Sequence, residues 1–112
     1  MARVIHGEAR GESYMGKLAV GAVVMNRIRS PLFPDTIETV VYEPGAFTCV
    51  ADGQIWEEPE EESFNAALDA IMGVDPTGGC LFYYNPRTAT SRWMQKRPSQ
   101  YRETIGNHIF MR

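Results

Sequence analysis

The chain is 112 residues long, 44% hydrophobic and 22% charged, with a formal net charge of −3. That length allows one domain with a small core, and the composition is globular rather than disordered. The acidic balance and the absence of a recognisable nucleic-acid module argue against nucleic acid as a partner. No apolar run reaches the ~20 residues of a membrane span.

Residues 2–10 read as a short helix. Val4, Ile5 and Ala9 form a partial apolar face, and Gly11 is the stop signal. The start carries no secretory pattern, because Arg3 is followed by only two apolar residues before His6. Glu12 or Ser13 can cap a second helix over 14–29, whose small, apolar interior predicts burial on most sides. "SPLFPD" at 30–35 ends it, and Asp35 or Thr36 can cap a third, short helix over "TIETVVY". Residues 43–54 are turn-rich around Phe47 and Val50.

The acidic run "EEPEEE" at 57–62 reads as a helix start. Proline suits a first turn, and glutamates favour the positive end of the helix dipole. Phe64, Ala67, Leu68 and Ile71 then supply an apolar face, and Gly73 the stop. "GVDPTGG" is a loop, "CLFYY" at 80–84 a strand halted by Asn85-Pro86, and 101–112 a hairpin around Gly106-Asn107. Helices first and strands last indicate an α+β fold as a single domain over 1–112. Residues 81–112 hold six of the 11 basic residues and one acid, Glu103. Such a basic third can face an anionic polymer or simply solvent.

Four constellations could carry chemistry. Glu8 and Glu12 are four apart in "VIHGEARGE", with His6 and Arg10 between. On an unbroken helix they would share a face at a spacing suited to a glycosidase pair, but Gly11 interrupts that helix. This leaves Glu8, at the helix end among small and apolar residues, as the acid candidate, and Glu12 as a cap, a tuning charge or a sugar ligand. A metal site would draw on His6, Glu8 and His108. The chain has no HExxH and no PCxxC, so no metal or other cofactor is expected. Cys49 precedes His108 in the order of a Cys/His peptidase, yet nothing nearby marks it as activated. Cys49 and Cys80 read instead as buried free thiols. Finally, Phe82, Tyr83, Tyr84 and Trp93 around Asn85 could form a platform for sugar rings, or pack in the core.

The ordered set "ARVIHGEARGE", "GKLAVGAVVMNRIRS", "FPDTI", "VVYEPGAFTCV", "DPTGG", "LFYYNP", Trp93 and "IGNHIF" resembles the SleB/CwlJ-type cell-wall hydrolases, from residue 2 to 111. No single piece is decisive, but the ordered set is specific. The resemblance implies a compact, lysozyme-like helical core with a small antiparallel β region. It implies peptidoglycan glycan strands as substrate, in cell wall or spore cortex, and lytic transglycosylase chemistry. The essential glutamate of that chemistry is the first Glu of "EARGE", here Glu8. Glu12, Phe47, Tyr84, Asn85, Trp93 and His108 match motif positions and are expected along the substrate groove. Muramidase-type hydrolysis stays open at this point, as do a Cys/His peptidase or amidase and a wall-binding module. Arg27 is expected as a structural ion-pair partner, and the chain as a monomer. One departure stands out: the family pattern has glutamine before the phenylalanine of "QF(S/T)", where this chain has Ala46. Any substrate contact made by that amide is missing here.

Overall fold

The computed structural model describes residues 1–87 and 101–112. In chain order these form α1 (Ala2–Glu8), α2 (Tyr14–Arg29), α3 (Ile37–Val41), α4 (Thr48–Ala51), a 3₁₀ turn (Gln54–Trp56), α5 (Glu61–Ile71), β1 (Phe82–Tyr84), β2 (Arg102–Ile105) and β3 (His108–Met111). No helix among the described residues is long and apolar enough to cross a membrane.

The α2 helix is the axis of the molecule. Ser13 caps it by accepting from the Gly16 N–H, so Ser13 rather than Glu12 is the N-cap. Its interior from Gly16 to Val24 is buried throughout, as its all-round apolar character predicts. Gly21 allows the closest helix packing. A Cβ there would lie 2.9 Å from both the Ala70 Cβ and the Ile5 Cδ1. Thus α1 and α5 both press on α2 at one point that admits no side chain. Thr36 caps α3 through a reciprocal capping box with Thr39.

The close approach at Gly21 overturns the expected inner face of α5. The spacing of Phe64, Ala67, Leu68 and Ile71 predicts these residues inside. The structure instead buries Ser63, Ala66, Ala67 and Ala70 and leaves Phe64, Leu68 and Ile71 substantially exposed. Small side chains are what a helix must present where its neighbour's backbone is this close. The start of α5 also lies later than expected: Glu60 is the N-cap, and Pro59 lies before it rather than in the first turn. Gly73, with φ of 102°, ends the helix as expected.

The sheet has the order β1-β3-β2 and is antiparallel throughout. Gly106 at φ 60° opens the β2–β3 turn and, among the described residues, only glycines have positive φ, so Asn107 does not; this is the pattern of a type II′ hairpin turn. Tyr83 pairs with Phe110 in register, and Phe110 is fully buried against α2 and α5. The sheet thus lies on the helices by one face. Both cysteines are buried and unpaired with each other. The segment expected as turns at 43–54 contains α4 and the first residue of the 3₁₀ turn, elements too short to leave a periodic signal.

Candidate functional site

The site forms where α1 ends. Gly7 is the reason α4 can sit against it: a Cβ on Gly7 would lie 2.5 Å from the Cys49 Cβ. The N-cap of α4 is Phe47, whose side chain has no acceptor. Glu8 supplies one from across the fold. Its Oε2 accepts from the Cys49 backbone N–H at 2.9 Å and from the Thr48 hydroxyl at 3.0 Å. Its Oε1 accepts from the Tyr83 hydroxyl at 2.5 Å. One carboxyl therefore ties α1, α4 and β1 together through three donors, each from a different group type.

Burial, then the adjacent Glu8 charge, raises the Tyr83 phenol well above its ordinary value, so it remains a neutral donor. The same two causes push the Cys49 thiol up to about 12. A protonated thiol is a poor nucleophile, which argues against the peptidase alternative.

Glu12 points elsewhere. The helix expected over 2–10 already ends at Glu8, with Ala9 as its C-cap, and Gly11, with φ of 81°, turns the chain before Glu12. The Glu12 oxygens accept from the Asn107 backbone N–H at 2.9 Å and from the Asn107 side-chain amide at 2.7 Å. Burial works to raise the Glu12 carboxyl, but the Asn107 bonds and the nearby His108 and Lys17 outweigh it and hold it below its ordinary value. Glu12 is thus the anchor of the hairpin turn, and a methyl group on Gly106 would collide with it. His108 is buried beside it, with Nδ1 3.8 Å from Glu12 Oε1 and without a hydrogen bond. Its ring packs edge-on against Tyr83 at 5.1 Å. His108 therefore stands behind the residue that bonds Glu8. Burial depresses its basicity more than the two glutamates raise it.

Phe47 is buried, 6.5 Å from Tyr83 between ring centres. Tyr84 faces the opposite way from Tyr83, and its hydroxyl accepts from Arg102 at 3.4 Å. The Asn85 side chain accepts from the Arg87 N–H at 2.9 Å and so shapes the turn after β1. Trp93 lies outside the described residues. Arg27 departs from expectation: it makes no ion pair among the described residues. Its Nε donates to the Leu81 carbonyl at 2.8 Å, and its guanidinium lies 5.0, 5.2 and 5.8 Å from the ring centres of Phe33, Phe47 and Phe82. Aromatic faces take the place of a carboxylate there. His6 is buried in a separate cluster with Arg10 and Glu57, on the far side of α1 from the Glu8 contacts.

Sequence reasoning singled out Glu8 as a candidate but did not foresee its bonds to Thr48 and Tyr83. Strand alternation required one of Tyr83 and Tyr84 to face the helices, without saying which. Thr48 occupies the Ser/Thr position of the family pattern, which marks the residue but not its bond to Glu8.

Residues 11–111 match the model of a family described as cell wall hydrolase. The chain belongs to the cell wall hydrolase family. It is 56% identical over 110 residues to a spore cortex-lytic enzyme of Oceanobacillus iheyensis, covering 98% of this chain and 39% of that protein. It is 53% identical to the spore cortex-lytic enzyme of Bacillus subtilis, again over 98% of this chain, and spans 35% of that protein. The solved catalytic domain of the germination-specific lytic transglycosylase SleB from Bacillus anthracis superposes with a TM-score of 0.91 at 53% identity, covering 100% of this chain and 90% of that one. The α+β fold expected from helix and strand order is therefore the fold of the family. The chain spans well under half the length of these full-length relatives.

Proposed function

We propose that the chain is the catalytic unit of a peptidoglycan lytic transglycosylase that cuts the β-1,4 bond between N-acetylmuramic acid and N-acetylglucosamine, with Glu8 as its acid and base. The observation that carries this reading is the single carboxyl held by the Tyr83 hydroxyl, the Thr48 hydroxyl and the Cys49 N–H, while the Glu12 carboxylate is bonded to Asn107. A hydrolase with two working carboxylates needs the second one free to activate water or to attack the sugar. Glu12 is held away from that role.

In the first step the Glu8 carboxylic acid gives its proton to the glycosidic oxygen, the bond breaks, and positive charge grows on the muramic acid ring. The departing sugar leaves with a new hydroxyl. Glu8 is now a carboxylate, and the three donors stabilise it in place. It then removes the proton from the C6 hydroxyl of the muramic acid, whose oxygen closes onto the anomeric carbon. The product is a 1,6-anhydro ring, and Glu8 is again an acid. No water enters the balance. The Tyr83 and Thr48 hydroxyls can each turn their hydrogen as Glu8 gains and loses its proton, whereas the Cys49 N–H is a fixed donor.

The test is turbidity loss of purified cell walls by the wild type beside Glu8→Gln. Loss of general acid–base catalysis is expected to cost about 10²–10⁴-fold or more in rate. Equal activity in the two proteins would overturn the assignment. Mass spectrometry of the products reads the chemistry: 1,6-anhydro ends are expected, and reducing ends that have gained water would replace transglycosylation by muramidase-type hydrolysis.

A further inference from the structure

One buried polar atom beside the Glu8 site has no hydrogen bond to account for it. Among the described residues two such side-chain atoms occur, Ser63 Oγ and His108 Nδ1. Ser63 is fully buried on the inner face of α5 and reaches no surface. His108 is different. Its Nδ1 faces Glu12 Oε1 at 3.8 Å, and both side chains are less than a tenth exposed. Its Nε2 makes no hydrogen bond among the described residues either, yet that atom is not sealed from solvent. The ring stands edge-on to Tyr83, the phenol that donates to Glu8, and lies close enough to feel the Glu8 charge.

We propose that Glu12 holds His108 in its Nδ1–H tautomer, so that Nε2 offers its lone pair to a hydroxyl of the glycan seated at Glu8. The proposal rests on the glycan-cleaving reading above. A neutral imidazole has one N–H and one lone pair, and the neighbour of one nitrogen decides what the other presents. Burial keeps His108 neutral near pH 7. The Glu12 carboxylate is pinned by the backbone N–H and the side-chain amide of Asn107, so it cannot turn away from the ring. A lone pair on Nδ1 would point at that negative oxygen, whereas a proton there is attracted to it. Burial strengthens this preference relative to water. Nε2 is then an acceptor. Around Glu8 the described donors, from Thr48, Cys49 and Tyr83, are engaged by the carboxyl itself. A sugar hydroxyl needs an acceptor, and Nε2 supplies one without drawing on Glu8. Glu12 thus acts on the reaction through His108, as a positioning residue rather than as a second working carboxylate.

The experiment reads the tautomer directly, from the imidazole ¹⁵N resonances of the wild type at slightly alkaline pH. The proton is expected on Nδ1, although free histidine favours Nε2–H in water; a proton on Nε2 overturns the proposal. Glu12→Gln removes the charge and keeps the shape, and is expected to shift the population toward Nε2–H. An unchanged ratio in that variant, folded by circular dichroism, overturns the proposal as well. Peptide-free glycan strands from purified walls are then added to the Glu8→Gln protein, which keeps the probe intact. The His108 Nε2 signal is expected to move while Nδ1 stays. If the Thr48 amide moves and Nε2 does not, the glycan passes His108 by and the proposal falls. If neither moves it falls too, and wall turbidity loss with Glu8→Gln reports on the catalytic reading separately. Kinetics supply the second arm. His108→Phe keeps a ring against Tyr83 and removes the acceptor, and kcat/KM on walls is expected to fall about 2–10-fold, the range of one hydrogen bond between uncharged groups. His108→Gln, whose amide oxygen can stand in for Nε2, is expected to recover most of that loss. A folded His108→Phe protein with wild-type kcat/KM overturns the proposal.

Discussion

Glu8, the proposed acid and base, is held by its surroundings. Its carboxyl completes the N-terminus of α4, which Phe47 cannot cap, and it receives the neutral Tyr83 phenol. The same bonds that hold the short helix in place therefore orient the acid. Tyr83→Phe removes one of them and leaves the ring stack with Phe47, His108 and Phe110 intact. A hydrogen bond to a charged group contributes about 1.5–3 kcal/mol, so kcat on purified walls is expected to fall roughly 10–100-fold with little change in KM. A Tyr83→Phe enzyme with wild-type kcat would show that the phenol only packs. Residue identity alone pointed to Glu8 through the family pattern. It could not point to Tyr83, because two adjacent tyrosines differ only in which face of the strand they occupy.

Among the elements, α5 separates what sequence spacing can and cannot tell. The helix itself was legible from its acidic start and its glycine stop. Its orientation was not, because two apolar faces compete: one of small residues, one of large. Gly21 of α2 lets Ala70 approach so closely that the small face, Ser63, Ala66, Ala67 and Ala70, is the one buried. Ala70→Leu is accordingly expected to destabilise the fold by about 1–3 kcal/mol through overpacking. Leu68→Gln, at a position 60% exposed, is expected to stay within about 0.5 kcal/mol. Urea unfolding of the two variants checks the order; the reverse order would mean that α5 is rotated. The hairpin carries a comparable lesson. Its turn was readable from Gly106-Asn107, but its tether to Glu12, 95 residues earlier in the chain, was not.

For the whole molecule, acid is expected to loosen the fold in two stages, both with the same sign. Burial lowers the folded-state value of His108 from its ordinary 6.5. As pH falls below 6.5, the unfolded chain takes up that proton before the native one does, and stability declines until the folded value is passed. Glu12 is held below its ordinary 4.5 despite its burial, mainly by Asn107. Its contribution is complete above pH 4.5 and is lost as pH falls through the lower folded value. Thermal unfolding between pH 8 and 3 is expected to show both declines. His108→Gln should remove the first, and Glu12→Gln the second. A melting temperature that is flat from pH 7 to 5 in the wild type would contradict the buried, neutral histidine.

By itself the sequence determined the fold class, the chain order of the main helices, the hairpin turn and the family, and through the family it offered Glu8 as the proposed acid and base. These are properties of local pattern: caps, breakers, periodicity and motifs in a fixed order. Only the tertiary structure decided which face of α5 turns inward and that Arg27 lies among aromatic rings rather than beside a carboxylate. It alone also showed where the two glutamates go, sending Glu8 to α4 and β1 and Glu12 to the hairpin. Each of these depends on a contact between segments distant in the chain. Such contacts are set by how closely backbones can approach at Gly7 and Gly21 and by where buried donors find acceptors, and neither condition leaves a mark on local spacing.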